Sequence, residues 1–512
     1  MVRKKFTGRS SLASAGEKQL MPLGFALMQL CLAYLQGSDR KGLFFPCSGN
    51  GNGTSWNNRG SNGNYWSSSL NSATNGRNLN FNSGGVNPQN NNNRFNGFAG
   101  RAVQHSQKPS FIFFLMTLTR ESLLRDLYMA YYAARRHKGQ MSYITGWEEN
   151  MRQNMEDLCD ELLTKTYKPL PSKCFIVEYP KKREVFAAQF RDRIVHHLYY
   201  DWTHELFERT FIADSYSCIV GRGTHYGIQR LTDYCRKISL NWQEKCYVMH
   251  LDIRGYFMHI DRHRLLDIAT ASLRRMADHR VSRDNSQTWG DVLDIDFICW
   301  LTGEIALLNP KTNCIIVGSD SDWDGLDPAK SLLKTEEGRG LPIGNLTSQL
   351  FSNVYLNLLD QFIKRELKCK GYGRYVDDAY MVSADRDWLK AQIPSIEQFL
   401  SEELGLKLHQ GKTEINEVHQ GVEYLGAFIK PYRTYISNHT LRRIEDKVKR
   451  IDYRDKKKAV RSINSYLGIL SHTASWKIRR RLFFNSKCLR LGVFDADMAK
   501  LTERNLFFNV KK

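Results

Sequence analysis

At 512 residues the chain can hold two or three compact units, each with its own core, and 42% hydrophobic with 12% aromatic residues is a globular composition. The 74 Lys and Arg against 53 Asp and Glu leave a formal charge of +21, a field that attracts polyanions without choosing between DNA, RNA and an anionic membrane. The eleven cysteines, an odd number with no C-x-x-C pair, argue against a disulfide scaffold and a zinc knuckle and suit a reducing, cytoplasmic setting.

In chain order, Leu20 to Leu35 is apolar but broken by Pro22, Gly24 and Gln29, too short to cross a bilayer comfortably, so no membrane partner is expected. Arg3, Lys4 and Lys5 upstream imitate a signal peptide, which the chemistry of the later motifs argues against. From Asn50 to Asn96 roughly a third of residues are Asn, with four in a row at Asn90 to Asn93. So few aliphatic side chains cannot offset the entropy of ordering, which predicts a disordered linker or arm.

The texture turns globular at Thr117. A helical period runs over Ser122 to Arg136 through Leu123, Leu124, Leu127, Ala130 and Tyr131, and a second helix is predicted from Trp147 to Leu163 through Met151, Met155, Leu158 and Leu162. Strands are expected at Phe175 to Tyr179, Tyr247 to Asp252 and Tyr375 to Val382. Helix and strand signals alternate without a βαβ period, which points to an α+β fold. Met276 to Gly338 has the turn residues of an insertion, and Leu441 to Leu491 reads as a basic helical unit.

Two acidic segments carry the chemistry. Gly373-Arg374-Tyr375-Val376-Asp377-Asp378-Ala379-Tyr380-Met381-Val382 places adjacent acids between β-prone flanks, hence in a tight hairpin turn. By itself that favours an ordinary acidic turn over a site. Tyr247 to Asp252 is a second apolar strand ending in a carboxylate, followed by Ile253-Arg254-Gly255-Tyr256-Phe257. If these strands are neighbours, Asp252 and Asp377 meet at one sheet edge, where like charges call for cations. Hard oxygen ligands suit Mg2+, which keeps waters and accepts substrate phosphates. Two such ions about 4 Å apart activate an attacking hydroxyl and stabilise a leaving pyrophosphate.

Taken together, these boxes resemble the reverse transcriptase family. The resemblance covers about residues 150 to 430, with the family's blocks in order. It implies a right-hand polymerase of fingers, palm and helical thumb, with Asp252, Asp377 and Asp378 catalytic. Asp252, Ile253, Asp377 and Asp378 would hold two Mg2+ ions, with Mn2+ able to substitute. Pro180-Lys181-Lys182-Arg183 and Arg191 to His196 resemble the fingers segment, where Lys182 and Arg183 would grip the incoming triphosphate; their plain reading is a solvated basic loop. Phe257 stands at the steric gate that excludes a ribose 2′-hydroxyl, and equally suits a core aromatic. Lys412, in Gly411-Lys412-Thr413, would contact phosphate, and Gly421 to Gly426 resembles the primer-grip hairpin.

The block Gly340-Leu341-Pro342-Ile343-Gly344-Asn345-Leu346-Thr347-Ser348-Gln349 has Ile343 and Gln349 where many relatives have Gln and Pro. This variant resembles the reverse transcriptases of diversity-generating retroelements, which copy a template repeat with errors at adenines. Ile343, Gly344 and Gln349 would then line the nucleotide pocket, with Gly344 allowing close backbone approach. The resemblance implies template RNA, an RNA–DNA duplex and dNTPs as ligands, and a small basic accessory protein as partner. It also gives residues 1–115 a meaning as translated template repeat, with Met116 as native start; a fused ligand-binding module is the competing reading. The expected division is 1–115 low-complexity segment, 116–245 N-terminal helices and fingers, 246–434 palm (insertion about 276–338) and 435–512 thumb, with no nuclease, maturase or ribonuclease H unit following. A retron or phage-defence enzyme, and a non-catalytic RNA-binding palm protein, are the alternatives.

Overall fold

The computed structural model describes residues 118–503, apart from 180 and 284, together with strand segments between Asn50 and Asn93. The chain divides into two compact units, Met1–Ile112 and Phe113–Lys512. In the first, β1 (Asn50–Asn52) pairs with β2 (Ser55–Asn57), and β3 (Gly63–Leu70), β4 (Asn75–Asn82) and β5 (Gly85–Asn93) form an antiparallel meander. Disorder is therefore not what the structure has for these segments. Asn-rich runs satisfy their backbone through strand ladders, which needs no aliphatic core. The apolar stretch Leu20 to Leu35, Met116 and Pro180 lie outside the described residues.

The second unit begins with α1 (Arg120–Arg135), α2 (Ser142–Glu148) and α3 (Met151–Leu163). The periodic residues Leu123, Leu127, Ala130, Met155, Leu158 and Leu162 are buried, as their spacing predicts. The single helix expected from Trp147 is two: α2 ends at Glu148 and Asn150 caps α3. Next come the hairpin β6 (Ser172–Val177) and β7 (Arg183–Ala187), then α4 (Phe190–Glu208) and α5 (Thr224–Ile238). They are followed by β8 (Tyr247–Leu251), α6 (Tyr256–His259), α7 (Arg262–Ala277), α8 (Trp289–Val292) and α9 (Ile295–Ala306).

The stretch expected to be an insertion is only partly one. Its α9 buries Phe297, Ile298, Leu301 and Ile305 in the main core, at a helical spacing that the surrounding turn residues mask. Beyond it, β9 (Cys314–Ile316) joins β6 in parallel and widens the β7-β6-β9 sheet.

A long apolar helix, α10 (Leu346–Gln361), precedes β10 (Gly371–Tyr375) and β11 (Asp378–Ser383). After α11 (Arg386–Leu404), β12 (Ile415–Glu417) completes a four-stranded antiparallel sheet in the order β10-β11-β8-β12. Both faces of this sheet are covered. Met249, Leu251, Ala379 and Met381 enter the main core, while Val248, Tyr380 and Val382 enter a second core with Tyr216, Leu231 and Tyr424. That alternation of faces is the period of two expected of a strand.

A three-stranded sheet of β13 (Val422–Tyr424), β14 (Ala427–Lys430) and β15 (Arg433–Ile436) leads to α12 (Asn438–Lys449), α13 (Lys456–Ser471), α14 (Trp476–Phe483) and α15 (Ser486–Leu491). With the hairpin β16 (Gly492–Phe494) and β17 (Leu501–Glu503), these helices close a core of their own around Ile463, Leu467, Leu470 and Phe483. Among the described residues, no helix is long and apolar enough to cross a membrane.

One buried base in α4 makes this fold pH-sensitive. His196 is 7% exposed and its Nδ1 lies 2.8 Å from Thr347 Oγ1; burial first, then His197 and Arg193, hold its imidazole down to about 3. An unfolded chain takes that proton near pH 6.5, so the contribution is complete above 6.5 and lost as pH falls toward 3. The stability gap between wild type and His196→Gln is expected to shrink by about 1.4 kcal/mol per pH unit below 6.5, measured as melting curves at stepped pH. A gap constant from pH 7 to pH 4 would contradict this.

Candidate active site

The register of the central sheet brings the acids together. Ala379 of β11 pairs with Leu251 of β8, so Asp378 and Asp252 come next on their antiparallel strands, at the same sheet edge. Tyr375 pairs with Asp378 across the β10–β11 turn, leaving Val376 and Asp377 as its two central residues. Val376 has φ +58, the left-handed region where a two-residue hairpin normally uses glycine. A β-branched residue there stores on the order of 1–3 kcal/mol of strain, so its surroundings must impose it.

Those surroundings are a buried polar network. The Arg374 guanidinium donates to the Val376 carbonyl (2.7 Å), and Val376 N–H donates to Ser217 Oγ (3.2 Å). Arg374 also forms a two-pronged ion pair with Asp360 of α10 (2.8 and 2.6 Å), both side chains being 0% exposed. Tyr372 donates to the same carboxylate at 2.7 Å. Asn353 links Arg374 and Ser217, accepting from each at 3.2 and 2.9 Å and donating to the Ser217 carbonyl at 2.9 Å. Midway along the same strand pair, the Tyr216 and Tyr380 hydroxyls meet at 2.7 Å in the space a side chain on Gly373 would need.

The acid turn opens into a cleft of about 1400 Å3. Asp252, Asp377, Asp378, Ile253, Lys182, Arg183, Phe257, Ile343, Gly344, Gln349 and Lys412 all line it, so residues scattered over 230 positions of the chain share one space. Burial, then the charges of Asp377 and Asp252, push the Asp378 carboxyl up to about 6. Asp377 is also raised, chiefly by burial, with Asp252 adding to it. These are like charges crowded at one turn, with Asp377 half-buried and Asp378 open to the cleft.

Such hard carboxylate oxygens, short of counter-charge, fit a divalent cation by donor chemistry. Among the described residues no three His, Cys, Asp or Glu side chains form a ready cluster. Asp252 instead takes the Lys412 ammonium at 2.9 Å, a pair with 60% of the lysine side chain exposed and hence weak. Ile253 has an apolar side chain, so only its backbone carbonyl could serve as a ligand. The residue sits opposite Leu408, another residue of the cleft lining, in a bridge made by Arg254 N–H to the Lys407 carbonyl (2.9 Å) and His409 N–H to the Asp252 carbonyl (2.8 Å).

Several expected residues stand in different company from that foreseen. Lys182 is not a free basic side chain: it donates to the Asp324 carbonyl (2.7 Å) and pairs with Glu178 (2.9 Å). Gly344, at φ +129, makes its close approach to β7, where an added Cβ would sit 2.7 Å from the Phe186 carbonyl. Ile343 packs with Phe186 and Met258, and its carbonyl accepts from Phe186 N–H at 2.9 Å. Phe257 lines the cleft and packs against the main core. Gln349 accepts from the Cys218 thiol at 3.3 Å. Within the expected primer-grip hairpin, the Tyr424 hydroxyl reaches the Asp378 carbonyl at 3.3 Å.

Sequence reading missed Glu184, which follows Arg183 directly. Its carboxylate is 1% exposed and accepts from Trp323 Nε1 (2.7 Å), Ser331 Oγ (2.8 Å), and the backbone of Leu332 (2.6 Å) and Leu333 (3.3 Å). It pins the loop after β9 onto the strand that carries Arg183. Glu184→Ala would leave several buried donors without an acceptor, at about 2–4 kcal/mol. Limited proteolysis is expected to cut within residues 318–338 at least tenfold faster than in wild type; unchanged cutting would refute the role. The only hint in sequence was an acid on an otherwise apolar strand. The stripe Asn353, Asn357, Asp360 on apolar α10 was a clearer signal for the Arg374 network.

Residues 326–429 match the family model described as reverse transcriptase (RNA-dependent DNA polymerase). That segment holds Asp377, Asp378, Ile343, Gly344, Gln349 and Lys412; Asp252 lies outside it. The chain is 26% identical over 313 residues to protein YkfC of Escherichia coli (strain K12), covering 53% of this chain and 70% of that protein. Among solved structures it is similar to a telomerase from Candida albicans in complex with a telomeric RNA fragment, at 11% identity and a TM-score of 0.37, covering 63% of this chain and 57% of that one. It is likewise similar to an apo telomerase from Candida tropicalis, at 12% identity and a TM-score of 0.37, covering 66% and 61%. The chain thus spans less than two thirds of those telomerases, and a TM-score this low adds nothing to the geometry of the cleft.

Proposed function

We propose that this chain, an RNA-directed DNA polymerase, is the error-prone, adenine-mutagenic enzyme of a diversity-generating retroelement, making cDNA from a template-repeat RNA. The observation that carries the catalytic part is the sheet register that sets Asp252 beside Asp378 at the mouth of one large cleft. We assign catalysis to Asp252, Asp377 and Asp378, which with the Ile253 carbonyl would hold two Mg2+ ions. Bound there, the ions supply activation of a primer 3′-hydroxyl and stabilisation of the leaving pyrophosphate. The chain's own part is alignment. The Arg374 network fixes the turn, so the acids need not reorganise when substrate arrives.

Within this reading the central sheet is the palm, β6, β7 and β9 belong to the fingers, and the helical C-terminal unit is the thumb. Arg183 and Lys182 meet the triphosphate, Lys182 after exchanging the Asp324 carbonyl for phosphate. Lys412 would leave Asp252 and turn to phosphate as well. Phe257 excludes the ribose 2′-hydroxyl. The basic residues of α12 and the start of α13, Arg442, Arg443, Lys447, Lys449 and Lys456 to Lys458, suit the duplex backbone, with binding that weakens steeply in salt. A small basic accessory protein and a cytoplasmic site of action complete the proposal.

Fidelity is assigned to the Ile343–Gly344–Gln349 wall. An aliphatic side chain at 343 offers no hydrogen bond to a base pair, so a mispair loses little there. Ile343→Gln is expected to lower misincorporation at template adenines several-fold, up to about tenfold for one recovered hydrogen bond. Sequencing cDNA made on an RNA carrying the repeat, with and without the accessory protein, tests both levels. No cDNA at all with Mg2+ and dNTPs would overturn the catalytic assignment; an unchanged adenine error rate in the variant would remove only the fidelity claim.

A further inference from the structure

Helix α14 is amphipathic in an uncommon way. Its inner side sends Phe483 (0% exposed) and Arg479 (7%) into the C-terminal core. Its outer side leaves two large rings in water, Trp476 at 43% and Phe484, just past the helix, at 52% exposed. Between them, one helical turn from each, lies Arg480, its guanidinium carbon 5.5 Å from the Trp476 ring centre and 5.6 Å from that of Phe484. Lys477 and Arg481 complete a shallow hollow of about 490 Å3; Arg481 is paired with the Glu445 carboxylate of α12 at 2.5 Å, so Lys477 and Arg480 carry its unneutralised charge. A single exposed aromatic needs no explanation, but a solvated basic face has no use for two rings flanking a planar cation.

The start of α14 is anchored. Ala474 N–H donates to the Thr434 carbonyl of β15 (2.8 Å), and Ser475, 1% exposed, donates its hydroxyl to the Leu470 carbonyl. His472 stacks on His225 at the start of α5 with ring centres 3.7 Å apart, tying the approach to α14 to the body of the unit. Aromatic rings have few torsions to lose, so carried on an anchored helix they offer flat apolar faces at low entropic cost.

We propose that the Trp476–Arg480–Phe484 face is a stacking platform for unpaired bases of a nucleic-acid strand, with Lys477 meeting its phosphates. Unpaired bases present π faces that a duplex hides, and a polyanion matches the net positive charge that Lys477 and Arg480 give the hollow. The platform shares no lining residue with the acid cleft, so binding here does not depend on the polymerase chemistry proposed above. For an enzyme copying RNA, the strand in question is the template before it pairs; the RNA and DNA arms of the test identify it.

The test is fluorescence anisotropy on the full chain with a short unstructured RNA, the same sequence as DNA, an abasic oligonucleotide of equal charge, and a blunt duplex. Trp476→Ala and Phe484→Ala are each expected to weaken binding of the unpaired RNA, the DNA, or both by about tenfold, while the abasic strand and the duplex change less than about twofold. Trp476→Phe keeps a ring and should retain most of the affinity. Equal loss on the abasic strand, or no loss on any strand, overturns the platform. Because both rings are exposed, misfolding is not expected, but photo-crosslinking of the wild-type chain needs no variant. Adducts of a thiouridine-bearing RNA at Trp476 or Phe484 support the platform, and adducts confined to other elements overturn it.

Discussion

Exchange of Asp377 for asparagine is expected to reduce DNA synthesis by at least about 10³-fold while RNA binding stays within about twofold. The rate loss corresponds to roughly 4 kcal/mol, in keeping with the several kcal/mol a metal site contributes through a carboxylate that anchors it. The sparing of RNA binding follows from scale, because one half-buried acid is a small part of a field of +21. Stability gives an independent check. Burial already disfavours the charged form of Asp377, so a neutral isostere should melt no lower than wild type. Primer extension, filter binding and thermal melting on one preparation separate these effects. A variant that melts lower and loses RNA binding would mean that Asp377 is a structural acid, and the catalytic assignment would lose its strongest support.

Loss of Arg374 should be the most damaging change away from the acids themselves. Arg374→Met leaves the Asp360 carboxylate buried at 0% exposure without its cation, which costs about 3–5 kcal/mol. It also removes the donor on the Val376 carbonyl, so the strained turn loses one of its two clamps. A second variant separates the two consequences. Pairing Arg374→Met with Asp360→Leu replaces the buried pair by apolar volume and should recover most of the melting temperature. Synthesis should stay at least about tenfold down, because the turn still lacks its clamp. Full recovery of activity in the double variant would reduce Arg374 to scaffolding.

Both experiments turn on the difference between what is local in this chain and what is not. The acidic hairpin was legible because turn chemistry and β-prone flanks are properties of neighbouring residues. Its strand partner was legible as an apolar segment ending in Asp252. The helices of the first part of the second unit followed from apolar spacing, apart from the break at Asn150. By contrast, α9 went unread within a turn-rich stretch, because a short apolar run is ambiguous without knowledge of what covers it. In the first unit, composition predicted disorder where strand pairing is found, since ladder hydrogen bonds leave little trace in side-chain identity.

The sequence by itself determined which chemical groups are available: three aspartates at strand ends, a basic β7 edge, an aromatic five residues after Asp252, and a positively charged C-terminal unit. Only the tertiary structure decided that Asp252 and Asp378 are next to each other, that Glu184 and Asp360 are acids spent on holding loops and turns, and that Lys182 and Lys412 already have partners. The physical reason is that strand register and burial are set by contacts between elements that need not be neighbours in the chain, from the 14 positions that separate Asp360 from Arg374 to the 160 that separate Asp252 from Lys412. Whether a carboxylate is a ligand, a clamp or a solvated charge depends on those contacts and not on its neighbours in the chain.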